Sequence, residues 1–270
     1  GNIYGRLTNS TQGVFEDRIA ALEGGTAGIA VASGAAAVEY AVRNITQSGD
    51  HIVSSKNIYG GTFNLLKHTL PRDGITTTFV SAENPQEFED AIQENTKLVY
   101  FETFGNPNAD LPDFEAITAI AHKHHLPVIV DNTFCTPYLQ RPLELGADVV
   151  VHSATKYLNG HGDVVAGFSA ARKEIMDQIR MVRLKDITGA MLGPQEAFLI
   201  LRGLKTLKVR MDAVCANTQK VVDFLAGSKY VQKVFYPSLE NHPDHAVAVR
   251  EMTRFCGVVS FEMGSFEEAK

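Results

Sequence analysis

Residues 149–162, VVVHSATKYLNGHG, combine a clear strand pattern with several reactive side chains directly after it. The apolar run at residues 149–151 predicts a strand that is buried on both faces. Two hydroxyl groups and an amine follow it, on Ser153, Thr155 and Lys156. Because open α/β sheets bind ligands where their strands end, this stretch predicts a ligand site. A lysine in this place is a phosphate binder, a nucleophilic amine or an ordinary solvated side chain.

Short apolar runs alternate with helical patterns on both sides of this stretch. Strands are predicted at residues 28–32, 51–55, 76–80, 98–103 and 127–132, and helices at 14–23, 86–94 and 113–125. This alternation predicts an α/β fold with a mostly parallel sheet covered by helices on both faces. After residue 207 the pattern becomes helical, with strands at 232–236 and 257–262. We therefore expect a large domain over residues 13–207 and the start of a small α+β domain over 208–270.

Composition and charge narrow the functional classes. The net charge of −6 and the lack of a basic block argue against a nucleic-acid partner. No apolar run approaches the ~18 residues that cross a bilayer, so no membrane partner is expected. Cys135, Cys215 and Cys256 are far apart, which predicts free thiols in a reducing, cytoplasmic compartment and no metal site. The chain starts without Met and stops just after a predicted strand, so we expect a piece of a longer protein.

Four strand ends carry groups that suit one ligand. They are the small-residue turn at residues 33–35, Tyr59, Asp131, and the stretch that ends on Lys156. The turn offers helix N–H groups to an anion, and the nucleotide motifs GxxxxGK[ST] and GxGxxG are absent. Asp131 and Lys156 taken alone would also fit a structural ion pair. Together, a phosphate cradle, an aromatic ring, an acid and a lysine match the demands of pyridoxal phosphate (PLP).

Several motifs resemble the cysteine/methionine-metabolism family of PLP enzymes, and the resemblance covers essentially the whole chain. They are YGGT at residues 59–62, ETFGNP at 102–107, VDNT at 130–133 and HSATKY at 152–157. The resemblance implies a fold-type I PLP-dependent transferase fold. The family includes methionine γ-lyase, the cystathionine lyases and synthases, and O-acetylhomoserine sulfhydrylase.

The resemblance also implies a role for each residue that matches a family motif. Lys156 would hold the cofactor covalently and then shuttle protons, and Asp131 would pair with the ring nitrogen. Tyr59 would stack on the ring and help to protonate the leaving group. The remaining cofactor contacts would come from Gly34, Ala35, Ser153 and Thr155 at the phosphate and from Asn106 near the 3′ oxygen.

Residues 1–12 resemble the family segment that reaches into the neighbouring subunit. Tyr4 and Arg6 would grip the phosphate bound there, and an arginine suits such a bidentate contact. Ser10 replaces the proline of the usual motif. The resemblance therefore implies a homotetramer that is built from dimers with shared active sites.

The choice among family members depends on fewer residues. Residues 183–190, with Lys185 and Asp186 near the substrate entrance, most resemble methionine γ-lyases. We therefore expect a carbon–sulfur lyase that converts L-methionine to methanethiol, 2-oxobutanoate and ammonia. Gly61 replaces a cysteine that lies beside the substrate in those enzymes, which keeps O-acetylhomoserine sulfhydrylase and cystathionine γ-lyase or γ-synthase as alternatives. The family's arginine for the substrate carboxylate would lie beyond Lys270, so an inactive, truncated assembly module is the alternative of another class.

Overall fold

The computed structural model describes residues 2–267 and 269. The strands are β1 (Ala27–Val31), β2 (His51–Ser55), β3 (Thr76–Val80), β4 (Thr96–Glu102), β5 (Val128–Asp131), β6 (Val149–Ser153), β7 (Gly167–Ala171), β8 (Val231–Phe235) and β9 (Ser260–Met263). The helices are α1 (Ser10–Glu23), α2 (Gly34–Ile45), α3 (Gly60–Asn64), α4 (Pro85–Ala91), α5 (Phe114–Lys123), α6 (Thr136–Leu139), α7 (Lys173–Gln178), α8 (Pro194–Leu204), α9 (Leu207–Ala226) and α10 (His245–Glu251). Helix α3 continues as a π-helix over Leu65–Thr69, and α7 continues as one over Ile179–Thr188.

Seven strands of the described residues form one sheet in the order β1-β7-β6-β5-β4-β2-β3. Its pairs are parallel except for those of β7, which runs antiparallel to β1 and β6. The predicted mostly parallel sheet is therefore confirmed. Strand β7 was not predicted, because its sequence GFSAA has little of the β-branched character that marks a strand. It forms a strand because it pairs with β1 on one side and with β6 on the other.

The sheet is covered on both faces, as predicted. Successive side chains of a strand point to opposite faces. On one face Tyr100, Ile129 and Val151 pack with Val38 of α2 and with Ile179. Because the alternation continues to the strand ends, every second residue beyond these core positions also lies on the α2 face.

The opposite face packs against helices from both ends of the chain. Phe101 and Val130 pack with Phe114 of α5. Nearer β1, the ring centroids of Phe15 and Phe168 lie 5.6 Å apart in an edge-to-face arrangement. This apolar packing holds the sheet from the side opposite α2.

The last part of the described chain has its own sheet. Strands β8 and β9 pair antiparallel after the long helix α9. This confirms the predicted small C-terminal sheet, while the division between residues 207 and 208 stays a prediction. Within residues 2–267, no helix combines the length and the apolar character that a membrane crossing needs.

Candidate active site

The carboxyl ends of the parallel strands border a cavity of about 640 Å³ on the α2 face. The sequence predicted that several strand ends would contribute to one site. The structure brings most of the predicted residues to the cavity wall, namely Gly34, Ala35, Tyr59, Gly61, Asp131, Ser153, Thr155 and Lys156.

One end of the cavity is formed by the first turn of α2. The Ser33 hydroxyl caps the helix by accepting the N–H of Ala36 at 3.1 Å. The N–H groups of Gly34 and Ala35 have no acceptor within the helix and none elsewhere in residues 2–267. Only glycine fits at position 34, because a Cβ there would lie 2.7 Å from the Cβ of Ser153. Two free N–H groups and the helix dipole make this end an anion site.

The two predicted phosphate hydroxyls are bonded differently. The Thr155 hydroxyl donates to the carbonyl of Ala166 at 3.2 Å and accepts the N–H of Ala166 at 3.0 Å. The Ser153 hydroxyl has no hydrogen bond to another described residue and lies beside Gly34. Ser153 is therefore free to donate to an anion, whereas Thr155 must first release Ala166.

Asp131, at the end of β5, supplies a buried carboxyl group. Its Oδ1 accepts the N–H of Thr133 at 2.9 Å and the Thr133 hydroxyl at 2.5 Å. The same hydroxyl oxygen accepts the N–H of Ser153 at 2.8 Å, which joins the ends of β5 and β6. Burial raises the pKa of Asp131, and the Thr133 hydrogen bonds oppose that rise. A cation beside this carboxyl would favour its charged form further.

Thr133 had no role in the sequence analysis, although it stands in the VDNT motif. The signal was present, because the side chain of an aspartate often accepts the backbone N–H of the residue two positions later in a turn. What the sequence lacked was the second contact, to Ser153, which depends on how β5 and β6 align.

Glu102 is a second buried carboxyl group in the cavity wall. It is the register partner of Asp131 in the β4–β5 pair and is 6% exposed. Its Oε1 accepts the backbone N–H of Tyr59 at 2.7 Å. Burial, and after it the nearby charge of Asp131, raises the pKa of Glu102 well above its usual range. Glu102 stands in the ETFGNP motif, and the sequence alone indicated no role for it.

Tyr59 stands at the mouth of the cavity, immediately before α3. The residue is 59% exposed. Its ring lies over Gly61, where a Cβ would be only 2.4 Å from the Tyr59 Cε1 atom. The glycine that departs from the family pattern is therefore the residue that leaves room for this position of the ring.

Lys156 extends into the cavity from the turn after β6. Its N–H donates to the carbonyl of Ser153 at 3.1 Å, and its own carbonyl accepts the N–H of Gly160 at 2.8 Å. The side chain is exposed, and its amine has no ion pair with any described residue. The alternative of a structural Asp131–Lys156 ion pair is thus not what the structure has. The amine is free to react.

Five predicted residues lie outside the cavity wall. Arg6 donates to the carbonyl of Lys185 at 2.9 Å, and its guanidinium lies 5.2 Å from the centre of the Tyr4 ring. Lys185 and Asp186 form an ion pair at 3.1 Å. Asn106 lies in the loop after β4. The N-terminal segment and the Lys185–Asp186 pair therefore meet each other within one chain, and the roles assigned to these residues at the cofactor or substrate stay predictions.

The groups in the cavity fit pyridoxal phosphate. The glycine cradle that a Cβ would fill, with two free N–H groups and the Ser153 hydroxyl, suits its phosphate. The buried Asp131 carboxyl suits its ring nitrogen, and the free Lys156 amine suits its aldehyde. Within residues 2–267 and 269, no cluster of three or more acid, histidine or cysteine side chains is placed to hold a metal ion.

Comparisons with known proteins agree with this fit. A family model described as "Cys/Met metabolism PLP-dependent enzyme" matches residues 1–270. An L-methionine gamma-lyase of Fusobacterium nucleatum subsp. nucleatum is 52% identical over 272 residues, covering 100% of this chain and 69% of that protein. A cystathionine beta-lyase of Lactococcus lactis subsp. cremoris is 47% identical over 261 residues, covering 96% of this chain and 68% of that protein. The crystal structure of metB from Corynebacterium glutamicum superposes with a TM-score of 0.96 at 41% identity, covering 100% of this chain and 70% of that one.

Proposed function

Since this chain belongs to the Cys/Met-metabolism family of PLP-dependent enzymes, we propose that it cleaves the carbon–sulfur bond of L-methionine. The predicted family and its dependence on PLP are confirmed. The proposed reaction consumes methionine and water and yields methanethiol, 2-oxobutanoate and ammonia. It draws support from the L-methionine gamma-lyases among the relatives, at 44–52% identity.

The observation that carries the proposal is the joint presence of three groups in one cavity. These are the anion site at Gly34 and Ala35, the buried carboxyl of Asp131, and the unpaired amine of Lys156. Each alone has an ordinary structural explanation. A cofactor with a phosphate, a basic ring nitrogen and an aldehyde uses all three at once.

The protein's own part begins with binding and orientation. The N–H groups of Gly34 and Ala35 and the Ser153 hydroxyl would hold the phosphate. The Asp131 carboxylate, whose direction is fixed by Thr133, would keep a proton on the ring nitrogen. When bound, the cofactor supplies an electron sink for the charge that develops at the substrate Cα.

Proton transfer is assigned to two residues. With the cofactor bound, the Lys156 amine would act as the general base that takes the proton from the substrate Cα. The proton that leaves Cβ before the Cγ–S bond breaks would pass to the same amine, once Lys156 has released the first proton to water. The Tyr59 phenol, at the cavity mouth, donates a proton to the departing sulfur, so that methanethiol leaves as a neutral thiol.

A second substrate class is favoured by Gly61. Without a side chain at this position, the Tyr59 ring lies over Gly61, where the methionine γ-lyases that Gly61 departs from carry a cysteine, and a cystathionine beta-lyase is among the similar proteins. Cystathionine is bulkier than methionine on the far side of its sulfur. Cleavage of cystathionine is therefore the second candidate, and its α-keto acid product, pyruvate or 2-oxobutanoate, reports which C–S bond breaks.

The deciding experiment is a competition between substrates with the PLP-loaded protein. We expect methionine to give methanethiol and 2-oxobutanoate in equal amounts. We also expect kcat/KM to be higher for methionine than for cystathionine. Faster incorporation of sulfide into O-acetylhomoserine would instead assign the chain to the sulfhydrylases. Turnover of none of these substrates would favour the inactive assembly module.

We also propose a homotetramer built from dimers, in which Tyr4 and Arg6 complete the partner's phosphate site. Two inactive variants test this sharing of sites. Arg6→Ala lacks the contributed group, and Lys156→Ala lacks the reactive amine. On mixing and subunit exchange, one site of each hybrid dimer regains both groups, so activity should reappear. Continued inactivity of the mixture would contradict shared sites.

A further inference from the structure

We propose that Glu102 is a positioning residue: as a neutral carboxylic acid it holds Tyr59 at the cavity and leaves the negative charge there to Asp131. The inference rests on the proposed function, because it assigns Tyr59 and Asp131 their places around the cofactor. It concerns a residue to which neither the sequence motifs nor the mechanism above gave a task.

The contact between Glu102 and Tyr59 joins a rigid element to a loosely held one. Glu102 ends β4, which lies inside the sheet between β5 and β2. Tyr59 is 59% exposed, and it begins α3 without any side-chain cap. The 2.7 Å hydrogen bond from its N–H to Glu102 Oε1 spans 43 residues of sequence. This bond fixes the backbone from which the Tyr59 ring projects.

The arrangement of the two carboxyl groups decides which of them is charged. Glu102 and Asp131 are register partners, and their side chains share the α2 face of the sheet. Two carboxylates buried side by side do not both ionise readily. Asp131 accepts two hydrogen bonds from Thr133, whereas Glu102 accepts one, from Tyr59. Asp131 accepts more hydrogen bonds than Glu102, so Asp131 is the carboxyl group that stays ionised.

The other groups around Glu102 act in the same direction. Asp110 adds a further negative charge that raises the pKa of Glu102, after burial and Asp131. Burial, and after it the charge of Asp131, raises the pKa of the Tyr100 phenol on the same face, so this phenol stays neutral as well. Lys156 lines the cavity but forms no ion pair with either carboxyl group. No described cation is therefore bonded to Glu102 to hold its charge.

Two substitutions separate a neutral acceptor from a charged one. Glu102→Gln keeps a carbonyl oxygen for the Tyr59 N–H and cannot ionise. Glu102→Leu removes the acceptor and leaves that N–H without its partner in a partly buried place. We expect Glu102→Gln to stay within about twofold of the wild type, and Glu102→Leu to lose roughly 10- to 100-fold in kcat/KM through the displaced Tyr59. Phe101→Leu, on the opposite face of the same strand, controls for lost packing.

Circular dichroism of the bound cofactor gives a readout that does not depend on turnover. A fixed aromatic ring beside the cofactor contributes to the strength of that band. We expect it to be unchanged in Glu102→Gln and Phe101→Leu and to be weakened in Glu102→Leu. An unchanged band and activity in Glu102→Leu would overturn the positioning role. Equal losses in Glu102→Gln and Glu102→Leu would overturn the neutral state.

A double-mutant cycle tests whether Glu102 acts through Tyr59. If it does, Tyr59→Phe should cost clearly less in the Glu102→Leu background than in the wild type. Additive losses would contradict the inference.

If Glu102→Leu does not fold, the pH dependence of kcat/KM in Glu102→Gln is the test. A profile that overlaps with that of the wild type between pH 6 and 9 supports the neutral acid, and a displaced profile contradicts it. A wild type that binds PLP without cleaving methionine would refute the proposed substrate, while the dichroism would still test Glu102.

Discussion

Thr133 directs both its backbone N–H and its hydroxyl to the same oxygen of Asp131, at 2.9 and 2.5 Å. This leaves the other carboxyl oxygen available to a ligand. In Asp131→Asn the amide oxygen still accepts from Thr133, but the negative charge is gone. We expect the dissociation constant for PLP to rise and kcat to fall by at least about 100-fold, the usual cost of removing a preorganised charge. Spectral titration with PLP and steady-state kinetics measure the two effects. Activity near that of the wild type would contradict the assignment of Asp131.

Substitution of Gly34 tests the anion site, because this glycine packs closely against Ser153. A Cβ at this position would lie 2.7 Å from Ser153 Cβ and 2.9 Å from its Cα, so Gly34→Ala must displace α2 or β6. We expect PLP affinity to fall at least tenfold, since both the N–H groups and Ser153 move. Gly13→Ala is the matched control, because a Cβ there meets no atom within 4 Å. It also lies in a helix, where alanine is favoured over glycine by about 1 kcal/mol. Equal PLP affinity in the two variants would contradict a phosphate site at this turn.

Gly60 and Gly61 form a matched pair at the cavity mouth. A Cβ on Gly61 would collide with the Tyr59 ring at 2.4 Å, whereas a Cβ on Gly60 meets nothing within 4 Å. We expect Gly61→Ala to turn the ring, with a lower kcat for methionine and an altered dichroism of bound PLP. The melting temperature should barely change, because an exposed ring moves at little cost. Gly60→Ala should match the wild type in the spectrum and in kcat. Similar effects of the two substitutions would contradict the ring position.

The buried carboxyl group of Asp110 should make the free energy of unfolding depend on pH. Burial raises the pKa of Asp110 from 3.8 to about 6, although a hydrogen bond from Asn57 at 3.0 Å opposes the rise. Because the folded-state pKa is the higher one, the stabilisation is complete below about pH 4 and is lost as the pH rises through 6. The loss amounts to about 3 kcal/mol in the free energy of unfolding, at 1.36 kcal/mol per pKa unit.

The variant Asp110→Asn removes this titration and keeps an oxygen for Asn57. Denaturant unfolding at pH 4, 5, 6 and 7, at one protein concentration, should show a shallower decline with pH for the variant than for the wild type. Asp90→Asn, at an exposed position on α4, controls for the loss of a charge. An unchanged slope in Asp110→Asn would contradict the prediction.

Much of the site was predictable because its residues follow strands directly. The apolar runs before Asp131 and Ser153 placed both at one edge of the sheet, and the Ser33–Gly34 turn was visible as small residues before a helix. The bond between Tyr59 and Glu102 was not predictable, since it depends on the alignment of β4 with a distant turn. Strand β7 was missed because small residues such as Gly167 become a strand only between neighbours that they fit. A Cβ on Gly167 would lie 2.0 Å from the Ser33 carbonyl oxygen.

The contact between Arg6 and Lys185 likewise could not be predicted from the sequence. The resemblance assigned these two residues to different tasks, one at a phosphate and one near the substrate. Their 2.9 Å hydrogen bond links segments that are 179 residues apart, and no local pattern encodes such a pairing.

The central claim is that Lys156 binds PLP covalently in this cavity. Borohydride reduction of the PLP-loaded protein, followed by proteolysis and mass spectrometry, tests it most directly. Lys185→Ala is the control, since Lys185 lies outside the cavity wall and is held by Asp186. We expect one stoichiometric pyridoxyl group, on Lys156, in the wild type and in Lys185→Ala, and none in Lys156→Ala. A pyridoxyl group on another lysine, or an unmodified Lys156 in the reduced wild type, would contradict the account.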